Sequence, residues 1–305
     1  GWFFYARKNS QEALMTHPKT DTTAQLESGP ILPLVFKLTV PAVVAQLITF
    51  LYNIVDRMFV AKIPGSGMDA LAALGVVLPI TLIIQACSNL VGLGGAPRAG
   101  IKMGEDNFEE ANRIFNTAFI LLSALGVAIG LAAFLLAEPL VTLFGCPPSA
   151  VEFAASYLRI YACGTLFVML AQGLNPFILT QGYSLLAMGT VLVGAVANIA
   201  LDPIFIFVLD MGVEGSSLAT VLSQMLSCVC ILLFYFSKKS LFRFRPRDMV
   251  LRSQRIRSIL SLGFTPFIMT LTECAIQIVF NINLNRSTGG DKDYTAALTI
   301  MLSAL

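Results

Sequence analysis

The chain has 305 residues, of which 56% are hydrophobic and 12% are charged, and its mean hydropathy is +0.78. Soluble domains carry about 25% charged residues, so a water-soluble globular protein is excluded. The formal net charge is only +2, so the placement of the charges is more informative than their sum. His17, the only histidine, lies in a polar segment, which argues against a histidine-dependent hydrolase or a histidine-ligated metal site. Composition therefore predicts an all-α, polytopic helical membrane protein.

Apolar runs of about 20 residues, the length needed to cross a bilayer, recur along the chain. Segments 1–30 and 238–258 are instead polar, and are predicted to form a cytoplasmic tail and a basic cytoplasmic loop. We predict a six-helix bundle over residues 31–237, and the start of a second bundle over 259–305. The predicted spans lie at 33–57, 70–97, 113–137, 153–178, 184–209, 215–237 and 259–285, with an eighth beginning near Thr295.

The lysine and arginine residues at the ends of these spans predict the orientation. Fourteen lie on the side of the N-terminus and four on the opposite side, and eight of the fourteen fall between Lys238 and Arg257. Because loops rich in Lys and Arg remain in the cytoplasm, we expect a cytoplasmic N-terminus. The basic stretch is then explained as a loop between spans, and no nucleic-acid partner is expected.

Two segments indicate an internal repeat. The sequence "GSGMDALAALGVVL" (65–78) aligns with "GGDKDYTAALTIML" (289–302) at six identical positions, and Pro41 aligns with Pro266. Six spans separate the two copies, so they share one orientation, as in transporters built from parallel repeats. The second copy is present only in its first part.

Three acidic residues, Asp56, Asp202 and Glu273, fall inside predicted spans. A charge at the centre of a bilayer costs about 2.5–3.5 kcal/mol or more, so such residues usually face the interior of a bundle and serve a function. Each also has a plain structural interpretation, as a buried carboxyl group that joins two helices by a hydrogen bond.

The spacing of polar residues within the predicted spans supports the functional interpretation. Asn198 and Asp202 are four residues apart, and Asn53 and Asp56 are three apart, so each pair lies on one face of its helix. Pro203 removes a backbone N–H and frees a carbonyl oxygen nearby. Carboxylate, amide and carbonyl oxygens suit a hard cation or a proton.

Buried ionisable groups, broken helices and a repeat together favour a secondary transporter, which is not an enzyme. An intramembrane aspartyl protease also needs two aspartates, but its YD and GxGD motifs are missing around Asp56 and Asp202. No GxxxxGK[ST] motif for binding ATP occurs, so an ATP-driven pump is disfavoured. A scaffold or receptor would not need three buried carboxyl groups.

Four segments resemble the multidrug and toxic compound extrusion (MATE) transporters, in particular their bacterial branch. They are "KLTVPAVVAQLITFLYNIVDRMFVAKI" (37–63), "GLNPFILTQG" (173–182), "VANIALDPIFIF" (196–207) and "GVEGSSLATVLSQ" (212–224). The resemblance implies twelve spans in two bundles around a cavity that opens alternately to each side. It implies export of cationic, amphipathic compounds, driven by inward Na⁺ or H⁺, without a cofactor. The sequence departs from the family by ending in the eighth span.

The resemblance also implies roles for particular residues. The cation or proton would bind to Asp56, Asn198, Asp202 and Thr220. The substrate cavity would include Asn175 and Glu273, although not every member of the bacterial branch carries the acidic residue at the latter position. Bends at Pro41 and Pro203 would serve gating.

The runner-up function is a flippase for lipid-linked precursors, or a polysaccharide exporter, of the same superfamily. Such proteins tend to carry Arg and Lys inside the cavity to hold pyrophosphate groups, whereas the deep candidates here are acidic or amide. We expect a monomeric transporter in the inner (plasma) membrane, with the lipid bilayer and small cationic organic molecules as its partners. The sequence does not distinguish Na⁺ from H⁺ coupling.

Overall fold

The computed structural model describes residues 31–249, 251–287 and 292–302, and these residues form helices joined by short connections. The described helices are α1 (Ile31–Ala61), α2 (Gly67–Gly104), α3 (Phe108–Leu135), α4 (Ala137–Leu143), α5 (Val151–Thr180), α6 (Ser184–Pro203), α7 (Gly212–Phe236), α8 (Ser253–Ser287) and α9 (Lys292–Leu302). Pro148–Ala150 and Pro246–Asp248 add short 3₁₀ turns, and a π-helical turn, Ile204–Val208, follows α6.

Seven of these helices, all except α4 and α9, are long and apolar enough to cross a membrane. The predicted class is therefore confirmed: the chain is a polytopic helical membrane protein. α9 lies where the eighth span was predicted to begin. The predicted N-terminal tail at 1–30 lies outside the described residues.

The connections differ from the predicted loops at three places. Instead of a loop over 98–112, α2 continues to Gly104 and α3 begins at Phe108, because charged residues can extend a helix beyond the apolar core of the membrane. Asn107 caps α3 by accepting the backbone N–H of Glu110 at 3.1 Å. Helix α8 begins at Ser253, inside the predicted basic loop, and α4 was not predicted.

Helix α2 lies at the centre of the described fold, where it packs against α3, α5, α8 and α9. Two glycines allow α2 and α8 to pack closely. A Cβ atom on Gly94 would collide with the backbone of Ile259, and one on Gly263 would collide with the backbone of Leu90. Small residues at helix crossings are a common means of close packing in membranes. Helix α1 packs mainly on α6, and α5 packs on α3 and α7.

The connection after α7 is fixed to α3 by two asparagine side chains. The Arg243 backbone N–H donates to Asn112 Oδ1 at 2.7 Å, and the Arg245 N–H donates to Asn116 Oδ1 at 3.2 Å. Asn112 Nδ2 donates to Asp248 Oδ2 at 2.9 Å, and Asn116 Nδ2 donates to the Arg243 carbonyl at 2.9 Å. The predicted basic loop is therefore held against α3 over residues 243–248.

A second set of contacts holds the beginning of the same connection. Gln181 Oε1, in the turn after α5, accepts the Leu241 backbone N–H at 2.8 Å and the Ser240 hydroxyl at 3.2 Å. The ring of Phe242 stacks on that of Phe115, with a centroid separation of 5.2 Å. These contacts bury the ring of Phe242 and give the Leu241 backbone N–H a hydrogen-bond acceptor. Because both apolar burial and backbone hydrogen bonding are provided, the basic connection adopts a defined path.

The helix boundaries fit the predicted repeat. Helix α9 begins at residue 292, which is 225 positions after the start of α2 at residue 67. Pro41 and Pro266 have the same separation and lie inside α1 and α8. Asn281, which the repeat aligns with Asp56, is buried and donates to the Gly75 carbonyl at 3.0 Å.

Candidate functional site

The site centres on two aspartates from neighbouring helices. Asp56, near the end of α1, is 8% exposed, and Asp202, near the end of α6, is fully buried. Their carboxyl groups lie within hydrogen-bonding range of each other. A hydrogen bond between two carboxyl groups requires a proton on one of them, because an ionised carboxylate only accepts. The pair can therefore share a proton, or hold a cation in its place.

Asn198 and Thr220 complete this cluster. Asn198 Nδ2 lies 3.4 Å from Asp202 Oδ1, one turn away on α6, and 3.4 Å from Thr220 Oγ1 on α7. The structure thus brings together all four residues that the family resemblance implied for a cation or proton site.

Two oxygen atoms in the cluster accept no hydrogen bond from any N–H or hydroxyl group of the described residues. They are Oδ1 of Asn198 and Oδ2 of Asp202, and both are buried. An unsatisfied buried polar atom costs about 1–3 kcal/mol, more for a charged group. Oxygen atoms of this kind are the ligands that hard cations prefer, so the donor set fits Na⁺ as well as a proton.

Sequence reasoning missed two residues of the site. The Ser216 hydroxyl donates to Asp56 Oδ1 at 2.8 Å, and the Tyr157 side chain lies beside Thr220 in the wall of a cavity at the site. A signal for Ser216 was present, since it lies four residues before Thr220 and therefore on the same face of α7. Tyr157 comes from α5, and only the tertiary structure brings it to the site.

Local backbone structure positions the cluster. Pro203 has no N–H for the helical hydrogen bond, and the π-helical turn Ile204–Val208 follows it at once. A Cβ atom on Gly215 would lie 2.7 Å from the carbonyl carbon of Phe205, so only glycine allows α7 to approach this turn. Ser216, the next residue, can then reach Asp56. Irregular helical turns of this type often mark functional sites.

A cavity of about 350 Å³ opens beside the cluster, between α1, α2, α5, α7 and α8. Asp56 and Thr220 line it, whereas Asn198 and Asp202 lie behind its wall. Glu273 of α8 lines the same cavity. The structure therefore places Glu273, which the resemblance implied for the substrate cavity, in one cavity with Asp56, whereas Asp202 does not reach this cavity.

Arg57 also lines this cavity. The rest of the wall is rich in aromatic and amide side chains, which are Phe50, Tyr52, Asn53, Tyr157, Tyr161, Gln46, Gln85, Gln172, Gln224 and Gln277.

Asn175 lies in a second cavity of about 220 Å³, which is lined by α1, α2, α5, α6 and α7. Its Nδ2 donates to the Ala187 carbonyl at 3.1 Å and to Thr190 Oγ1 at 2.9 Å, so it joins α5 to α6. The two cavities share the side chains of Gln46, Thr49, Tyr52, Gln85, Gln172 and Gln224.

Pro41, the other predicted bend, lies inside α1 and is buried. It is about four turns from Asp56 along the helix, since fifteen residues separate the two. The structure therefore places it away from the carboxylate cluster.

These observations define a class of protein first: a polytopic helical membrane protein with a buried carboxylate pair beside a polar cavity. The family model named MatE matches residues 41–204, which is more than half of the chain. The chain therefore belongs to the MatE family, the multidrug and toxic compound extrusion transporters. The predicted family is confirmed.

Curated relatives include multidrug export protein MepA of Staphylococcus saprophyticus, which is 24% identical over 246 residues, covering 81% of this chain and 54% of the relative. MepA of Staphylococcus haemolyticus is 22% identical over 266 residues, covering 87% and 58%. The chain therefore spans a little over half the length of these relatives.

Solved structures agree in fold. The structure of the MATE multidrug transporter DinF-BH has a TM-score of 0.84 and 29% identity, covering 90% of this chain and 61% of that chain. An inward-facing multidrug resistance MATE family transporter of the MOP superfamily has a TM-score of 0.77 and 26% identity, covering 88% and 60%.

Proposed function

We propose that the protein exports cationic, amphipathic compounds in exchange for Na⁺ or H⁺. The observation that carries the proposal is the cluster of Asp56, Asn198, Asp202 and Thr220, in which two buried oxygen atoms accept no hydrogen bond from any N–H or hydroxyl group of the described residues. Two carboxyl groups at hydrogen-bonding distance retain either a proton or a cation, and the exchange of one for the other provides a means of coupling.

Coupling requires that the ion bind two arrangements of the helices with different affinity. The ligands come from α1, α6 and α7, so a bound cation draws these three helices together. Loss of the ion leaves two buried carboxylates that repel each other, which favours an arrangement in which α1 and α6 move apart. Since Asp56 and Thr220 also line the cavity, this movement changes the shape of the cavity wall.

The cavity wall favours cationic aromatic cargo. Asp56, Glu273 and Arg57 all line the cavity, so acidic groups outnumber basic groups on its wall by two to one. Tyrosine and phenylalanine rings on the wall offer cation–π contacts. The cavity of about 350 Å³ is within the range of sites for drug-sized ligands, which is about 300–1,000 Å³.

We further propose that the N-terminus is cytoplasmic, that the protein acts as a monomer, and that it resides in the inner (plasma) membrane. The excess of Lys and Arg on the side of the N-terminus supports the orientation. The flippase alternative has less support, because Arg57 lies beside Asp56 and is the only basic residue among those that line the cavity.

The proposal is tested with the protein expressed from its complete gene and reconstituted into proteoliposomes. The uptake or release of ethidium is measured under a Na⁺ gradient, under a pH gradient and with neither. We expect gradient-driven movement under one of the two gradients. No response to either gradient, in vesicles where the protein still binds ethidium, would overturn cation-coupled export.

A further inference from the structure

A second charged cavity, of about 440 Å³, lies far from the carboxylate cluster. We call it the basic pocket, and its lining residues are Arg98, Ile101, Lys102, Glu105, Glu110, Arg113, Ile114, Arg252, Gln254, Arg255 and Ser258. They come from the end of α2 and the starts of α3 and α8. Thirteen residues of α2, or about 20 Å of helix, separate Arg98 from Gln85, which lies in the wall of the cavity beside Asp56.

The basic pocket lies at the border of the membrane. Helix α2 has 38 residues and is therefore about 57 Å long, much longer than the apolar core of a bilayer, which is about 30 Å thick. The apolar run in α2 ends just before Arg98, and the apolar run in α8 begins just after Ser258. The charged ends of the three helices thus lie at the level of the lipid headgroups.

Basic residues exceed acidic residues in this pocket by five to two, and both acidic residues are already paired. Arg255 holds Glu110 with two hydrogen bonds, of 2.6 and 3.1 Å, and Lys102 lies 2.6 Å from Glu105. Arg255 is itself only 9% exposed, so this pair also fixes the start of α8 against α3.

Arg98 has no such acidic partner. Its Nε atom is buried and makes no hydrogen bond to any described residue, and no described carboxylate forms an ion pair with it. Arg98 as a whole is half-buried, but a buried N–H without an acceptor is costly, and an anion in the pocket would remove that cost. Arg252, exposed at the mouth of the pocket, likewise has no ion pair among the described residues.

The chemistry of the pocket suits a phosphate group. The guanidinium fork matches the geometry of phosphate oxygens, and basic pockets between transmembrane helices on the cytoplasmic side bind anionic headgroups. Ile101 on the wall is 53% exposed and offers an apolar contact to the base of an acyl chain. We propose that the basic pocket binds the phosphate group of an anionic phospholipid in the cytoplasmic leaflet.

A lipid bound there contacts α2 of the first bundle and α8 of the second at the same time. Its binding therefore stabilises the arrangement of the two bundles that the structure describes, and the lipid composition of the membrane becomes a regulator of transport. The inference rests on the orientation proposed above, and it does not depend on which compound is transported.

The test uses protein from the complete gene, purified in detergent, and native mass spectrometry with added phosphatidylglycerol or phosphatidylcholine. We expect saturable binding of phosphatidylglycerol, and Arg98→Gln should weaken it about tenfold, or about 1.4 kcal/mol. Arg252→Gln, at an exposed position, serves as a second variant if Arg98→Gln folds poorly. The matched control is Arg257→Gln, an exposed residue of α8 that lines a different cavity and lies outside the basic pocket.

Equal losses in Arg98→Gln and Arg257→Gln would assign the binding to diffuse attraction and overturn the proposed site. Binding of phosphatidylcholine as tight as that of phosphatidylglycerol would do the same. A separate arm adds millimolar inorganic phosphate. Displacement of the lipid by phosphate alone would show that the pocket binds a soluble anion, and it would overturn the proposal of a lipid site. Retention of the lipid in the presence of phosphate would support the proposal. None of these measurements involves transport, so their failure is distinct from failure of the proposed export.

Discussion

Replacing Asp202 with Asn is the sharpest test of the coupling site. The substitution keeps the size of the side chain and its hydrogen-bonding capacity, but it removes the carboxyl group whose Oδ2 accepts no hydrogen bond from any N–H or hydroxyl group of the described residues. For a cation about 4 Å from that carboxylate, at an effective dielectric constant of about 20, the lost attraction is about 4 kcal/mol. We therefore expect the affinity for the coupling cation to fall about a thousandfold.

The assay separates coupling from binding and from folding. Proteoliposomes containing Asp202→Asn should show no efflux driven by an ion gradient, while binding of a fluorescent cationic compound remains measurable and the thermal midpoint stays close to that of the wild type. Asp56→Asn should behave in the same way. The matched control is Asp210→Asn, an exposed residue two positions after the π-helical turn, whose φ of 52° is one that asparagine adopts readily.

Gradient-driven efflux at the wild-type rate in Asp202→Asn would refute the reasoning, because the carboxyl group would then be a structural link between α6 and its neighbours. A loss of efflux in Asp210→Asn equal to that in Asp202→Asn would also count against it. In that case any loss of negative charge near this end of the helices would be enough to abolish efflux, and the buried cluster would have no special role in coupling.

Three further predictions follow from particular contacts. Glu273→Gln should weaken the efflux of cationic compounds more than that of neutral ones in paired efflux assays, because it removes a negative charge from the cavity wall; equal losses would leave it a structural residue. Ser216→Ala removes a hydrogen bond to a carboxyl group, worth about 1.5–3 kcal/mol, and should impair gradient-driven efflux. Its matched control, Ser217→Ala, loses a bond to a backbone carbonyl and should lower only the thermal midpoint, so impaired efflux in both variants would contradict the assignment. Asn112→Ala should expose the connection after α7 to trypsin, since two of its anchors are lost, whereas Asn283→Ala, which breaks only a bond within α8, should not; equal cleavage of the two variants would argue against the anchoring.

The sequence by itself determined the class of protein and which helices carry the two aspartates of the candidate site. Runs of about 20 apolar residues admit no other fold, because lipid offers no partner for backbone hydrogen bonds and each span must satisfy its own. The helical repeat alone also predicts that Asn198 and Asp202, which are four residues apart, lie on one face of their helix. The family resemblance added Thr220 to this set, and the geometry brings it to Asn198.

Other parts of the site were decided only by the tertiary structure, because they depend on which helices cross and at what depth. Tyr157 reaches Thr220 from another helix, Arg57 turns into the cavity, and Asn175 lies in a separate cavity where it joins α5 to α6. Ser216 reaches Asp56 because Gly215 allows a close approach of two backbones. Local patterns fix which face of a helix a residue occupies, but the partner of that face is set by long-range packing, which no local spacing encodes.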